Sequence, residues 1–199
     1  MPITFSKTVV ATIALYTLTL GAQAETWTLD PSNSRISFGS VKQKSIGESH
    51  SFSGLNGTVA ADGTVTATID LATVDTDIDV RNERMIKHVF KNAPAAKLSA
   101  EMDMDALNAM KPGDAQTILV EGTLEFLGEE IPIDVDMFVM RATGDKVVAV
   151  SNDMIYLSTE ELGIDAGIDM LKEIAGLEVI TRATPVTIRL VFNSKDGAS

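Results

Sequence analysis

Four stretches of the chain put an apolar residue at nearly every second position, and nothing else in the sequence constrains the fold as strongly. Lys97 to Met104 alternates through Leu98, Ala100, Met102 and Met104; Ile118 to Phe126 carries Ile118, Val120, Leu124 and Phe126 in phase. Ile131 to Val139 places Ile131, Ile133, Val135, Met137 and Val139 on one face, and Thr184 to Phe192 does the same with Val186, Ile188, Leu190 and Phe192. Side chains leave a strand on alternate sides, so period two predicts strands with one wet and one buried face. Turn signals punctuate them: Asp62-Gly63, Lys111-Pro112-Gly113-Asp114, Gly128-Glu129 and Gly144-Asp145. Further strands are expected at Glu25 to Leu29, Arg35 to Val41, Phe52 to Val59, and Lys146 to Tyr156, with Gly54 and Gly57 marking a bend or bulge. The polar run from Lys42 to Ser51 reads as a loop or an edge. No helix follows each strand, which argues against a parallel α/β sheet. A mainly β, antiparallel meander of about eight strands avoids open edges by closing into a barrel or splitting into a sandwich; long strands and few core aromatics favour the closed β-barrel.

One or two short helices are expected in addition. Ala67, Ile69 and Leu71 continue the strand pattern, which then fails at Asp75, Asp77 and Asp79, three residues suited to capping a helix. Met85, Ile86, Val89 and Phe90 follow as an apolar stripe at helical spacing, ended by Asn92 and Pro94. Leu171 and Ile174 suggest one or two further turns over Asp169 to Ala175, stopped at Gly176.

A net charge of -12 argues against nucleic acid and against docking on anionic lipid. The absence of cysteine excludes disulfides, thiolate metal sites and cysteine catalysis. Lys7, the uncharged apolar run from Val9 to Leu20 and the Ala22-Gln23-Ala24 site read as a signal peptide over residues 1–24. The expected product is one domain, residues 25–199, periplasmic or secreted, with no stable membrane span; a homodimer is compatible with this reading.

Arg81, Arg84, Lys87 and His88 fall within two helical turns. They read either as a polar rim for a ligand head group or as a solvated face with a Glu83–Lys87 pair. His50 and His88, the two histidines, form no zinc site by themselves, and the aspartates lack the glycine and glutamate of a calcium loop. No metal site and no catalytic residue is assigned, since no nucleophile elbow, phosphate loop or dinucleotide fingerprint occurs.

Several motifs, in order, resemble the YceI-like family. They are Trp27-Thr28-Leu29-Asp30-Pro31-Ser32-Asn33-Ser34-Arg35-Ile36-Ser37-Phe38, then Thr73-Val74-Asp75-Thr76, Arg81-Asn82-Glu83-Arg84 and Phe90. Val120-Glu121-Gly122-Thr123-Leu124 with Gly128, Leu162-Gly163 and Pro185-Val186-Thr187-Ile188 complete the order. Many members carry an Asn-Arg pair before the late glycine; the stretch here is Tyr156-Leu157-Ser158-Thr159-Glu160-Glu161-Leu162-Gly163. The resemblance implies a lipocalin-like barrel holding a long polyisoprenoid or similar amphiphile; the segment from Ile164 to Leu177 lies outside the family pattern and reads as an added lid. The lipid would then lie against Phe38, Phe52, Ile69 and Leu71 from the early strands. Val120, Leu124, Phe126, Ile133, Val135 and Met137 would continue the wall, and Val186, Ile188 and Leu190 would complete it. Arg81, Arg84 and His88 would form the head-group rim. The implied function is an exported binding protein that transports, stores or sequesters an isoprenoid-type lipid or quinone, with that ligand and no cofactor. Alternatives are an enzyme acting on such a lipid, through Tyr156, His88 and a carboxylate, and a stress or redox partner protein. From the residues alone, a filled core gives the same alternation as a cavity wall.

Overall fold

A computed structural model describes residues 26–194; the expected signal peptide and its cleavage site lie outside the described residues. Twelve strand segments follow in order: β1 (Trp27–Leu29), β2 (Arg35–Lys42), β3 (Ile46–Phe52), β4 (Leu55–Val59), β5 (Thr64–Asp70) and β6 (Val74–Asp75), then β7 (Ala95–Glu101), β8 (Ala115–Phe126), β9 (Glu129–Thr143), β10 (Lys146–Ser151), β11 (Ile155–Ser158) and β12 (Ala183–Ser194). Three α-helices, α1 (Asp79–Arg84), α2 (Met104–Ala109) and α3 (Asp165–Ile174), a 3-10 turn (Leu71–Thr73) and a π-helical turn (Met85–Val89) complete the elements among the described residues.

Every pairing is antiparallel, and several short segments are halves of one long strand. β1 and β2 both pair with β12, and their partners β4 and β3 are likewise successive. β5 and β6 extend the same way, as do β10 and β11 against β12. The result is an eight-stranded barrel, closed where Trp27 to Leu29 meets Phe192 to Ser194. The break between β1 and β2 is held by Asp30. Its carboxylate accepts from the Ser32 hydroxyl at 2.6 Å and from the Asn33 amide side chain at 2.8 Å. Those hydrogen bonds, from Ser32 first and then Asn33, lower its pKa to about 2.

The Asp62-Gly63 turn requires glycine twice over. Gly63 has φ +91, and a Cβ there would sit 2.2 Å from the Met102 carbonyl oxygen.

Three local expectations are corrected. Lys42 to Ser51 is not a loop: β3 pairs with β2 from Ile46 to Phe52. The alternation of Lys97 to Met104 stops at Glu101, because Asp103 accepts from the Asp105 and Ala106 amides and caps α2, a helix the periodicity hid. Asp75 and Asp77, which precede α1, and Asp79, its first residue, do not cap it through their side chains. The N-cap is Ile78, without a side-chain hydrogen bond, while Asp75 accepts from the Asp77 amide and Asn82 from Thr76. After α1 the chain widens into a π-helical turn, Met85–Val89, with Phe90 N–H donating to the Met85 carbonyl at 2.9 Å.

α3 begins four residues earlier than its apolar spacing indicates and lies on this π-turn. Gly167 permits the contact, since a Cβ there would be 2.4 Å from the His88 carbonyl oxygen and 2.7 Å from Val89 Cα. Ser194 is buried and paired opposite Trp27.

Candidate functional site

The barrel is hollow. A cavity of about 490 Å³ runs through it, within the range of small-molecule sites. Its wall is built by the period-two faces of the strands, and several inward apolar residues stay only half-buried because they border space. Val120, Ile133, Ile188 and Leu190 are of this kind.

The positions expected to meet a lipid all fall on this wall. β2, β3 and β5 contribute Phe38, Phe52 and Ile69, and the turn after β5 contributes Leu71. β8 supplies Val120, Leu124 and Phe126, and β9 supplies Ile133, Val135 and Met137. β12 adds Val186, Ile188 and Leu190. The sequence reading placed helical turns and a lid here but no wall residues; Ile168 and Leu171 of α3 close part of the wall.

The two ends differ. At one, β1, β4, β10 and β12 meet around Trp27, which is 1% exposed, and Leu107 of α2 is buried nearby in the same core. The Arg141 guanidinium lies 5.2 Å from the Trp27 ring centre and donates to the Leu107 and Gly144 carbonyls. At the other end, the β2–β3 hairpin, α1 and the segment after α3 form a mouth. Here the wall turns polar, with Ser40, Lys42, Glu48, His50, Arg81 and Arg84. An aromatic series leads inward from it: His50 to Phe38 at 5.2 Å, Phe38 to Phe52 at 5.2 Å, Phe52 to Phe90 at 5.8 Å, and Phe90 to Phe126 at 6.2 Å.

Glu48 organises the mouth. Its Oε1 accepts from Lys42 Nζ at 2.9 Å and from Arg81 NH1 at 2.8 Å. Arg81 NH2 also donates to the Thr76 carbonyl. Burial pushes the Glu48 carboxyl up, but the hydrogen bonds from Arg81 and Lys42 outweigh it and hold the group below the usual range. His50 Nε2 is 3.2 Å from Ser40 Oγ. Burial, and then the Arg81 charge, push the His50 imidazole below its ordinary pKa; Glu48 and Asp77 oppose this, and Lys42 adds to it.

Of the expected rim, Arg81 and Arg84 reach the wall and His88 does not. The π-turn that contains His88 adds a residue to the helical repeat, so the spacing that aligned it with the arginines no longer holds. The histidine at the mouth is His50. Tyr156 is 66% exposed and off the wall, so it does not join His88 in an acid–base pair within the cavity. Among the described residues no three His, Asp or Glu side chains gather as a metal site. No helix among them is long and apolar enough to cross a membrane.

The model of the YceI-like domain matches residues 27–192 of the chain. A polyisoprenoid binding domain from Saccharophagus degradans, implicated in plant cell wall breakdown, superimposes with a TM-score of 0.82 at 29% identity, over 84% of this chain and 97% of that one. Burkholderia cenocepacia BcnA is similar in fold, with a TM-score of 0.63 at 19% identity over 82% and 98% of the two chains. The Campylobacter jejuni YceI protein gives 0.52 at 13% identity, over 72% and 83%. No curated protein matches the chain.

Proposed function

The chain belongs to the YceI-like family, and from that premise we propose that it is a binding protein that carries a long apolar isoprenoid-type lipid or quinone inside its barrel. The observation that carries this reading is the cavity itself: an apolar channel with a polar mouth at one end. A chain-like amphiphile matches that polarity, with its tail against the aromatic series and its head beside Arg81. The polyisoprenoid-binding relative supports the ligand class. A binder needs apolar walls and a few placed polar groups, and no activated nucleophile. The net charge of -12 keeps such a carrier soluble while its cargo is shielded. Export after loss of residues 1–24 would let it move this cargo through an aqueous compartment.

Protein purified without detergent and extracted with organic solvent is expected to release an apolar chain molecule, identified by mass spectrometry, in near-equal amount to protein. Empty extracts, together with no uptake of added isoprenoids, would contradict the proposal.

A further inference from the structure

The wall of the mouth carries three cationic side chains against one carboxylate, and Asp77 acts on His50 from off the wall. Lys42, Arg81 and Arg84 line the cavity against Glu48, with no other acidic side chain of the described residues on the wall. Lys42 and Arg81 share the same Glu48 oxygen, and Arg84 has no carboxylate partner among the described residues. This excess stands out in a chain of net charge -12. A second observation is independent of charge. His50 is 5% exposed, and its Nδ1 has no hydrogen-bond partner among the described residues; neither does the buried Nε of Arg81. Buried polar groups left unpaired are costly and uncommon. Both nitrogens belong to residues of the cavity wall, and arginine Nε can only donate.

We propose that the mouth is a subsite for an anionic oxygen head group, a phosphate ester or a carboxylate, so that the cavity selects acidic amphiphiles over neutral ones with the same tail. The inference rests on the binding function above. Both nitrogens are shut off from the cavity in this structure, so binding turns the Arg81 and His50 side chains until an entering head-group oxygen accepts from the arginine Nε–H and meets the imidazole Nδ1. Neutral His50 can donate there as the Nδ1–H tautomer, because its Nε2 can accept a hydrogen bond from the Ser40 hydroxyl. Arg84 and the share of Lys42 and Arg81 that Glu48 leaves uncompensated balance the added charge. Charge-assisted hydrogen bonds in a partly buried site are the stronger kind. Glu48 limits the site, since it already occupies two of the cations.

Three probes share one tail: geranylgeraniol, geranylgeranoic acid and geranylgeranyl monophosphate, titrated into delipidated protein by calorimetry. At least one acidic probe is expected to bind roughly tenfold or more tighter than the alcohol, and the two acids compared with each other identify the head chemistry. Arg84→Gln should shrink that ratio. Glu48→Gln should widen it, because the isosteric amide frees positive charge; a purely structural role for Glu48 would lower the affinity of all three probes together. An alcohol that binds as tightly as both acids, or a ratio unmoved by both variants, overturns the proposal while leaving the binding function standing. If no probe binds, the binding function falls with it.

Discussion

Trp27→Ala is expected to lower the unfolding free energy of the delipidated protein by about 3–5 kcal/mol, the usual cost of truncating a fully buried aromatic. Trp27 is 1% exposed and stands where the barrel closes: β1 joins β12 on one side and β4 on the other. Its Nε1 has no partner among the described residues, so the loss is one of packing. The Arg141 guanidinium also loses the ring it lies against. Trp27→Phe keeps a ring at the seam and should recover most of the difference. Urea melts with a common slope measure both. A loss below about 1 kcal/mol, the size typical of an ordinary point change, would show that the seam does not depend on this side chain.

Ile133→Ala should cost more in lipid-loaded than in delipidated protein. Ile133 points inward from β9 opposite Gly122 and borders the cavity. In a close-packed core its truncation would cost roughly 2–5 kcal/mol. Beside existing space fewer contacts are lost, so the empty protein should lose no more than about 2 kcal/mol, near the transfer contribution. The loaded protein also loses the contact between Ile133 and the bound chain. Denaturant melts of both forms give the comparison. Equal and large losses would mean that Ile133 is ordinary core.

The sequence showed the scaffold more clearly than the site, and particular residues explain why. β8 and β9 were legible because one face of each is apolar and the other wet, from Ile118 to Val139. β3 was not, although it is as regular. Its inward residues Glu48 and His50 belong to the polar mouth, in phase with Phe52, so the site itself removed the apolar signal. Charged residues at strand spacing leading into an aromatic were the trace it left. The Glu48–Arg81 pair joins residues 33 positions apart and becomes visible only in three dimensions. α2 was hidden because Met102 and Met104 extend the strand's alternation across Asp103, which caps the helix. His88 was aligned with Arg81 and Arg84 by ordinary helical spacing, which the π-turn interrupts. Alternation could not distinguish a filled barrel from a hollow one, because both require apolar inward faces; the half-buried state of Val120, Ile133 and Ile188 makes that distinction.

The most direct test of a chain ligand lying along the barrel uses Trp27, the one tryptophan in the sequence, which lines the cavity at the end away from the mouth. Two versions of one long isoprenoid alcohol are needed, brominated either at the tail end or beside the hydroxyl, because bromine quenches indole fluorescence only at close range. With both bound to saturation, the tail-brominated chain should quench Trp27 strongly and the head-brominated chain only weakly. Stronger quenching by the head-brominated chain, or none by either, would contradict a ligand threaded tail-first into the barrel.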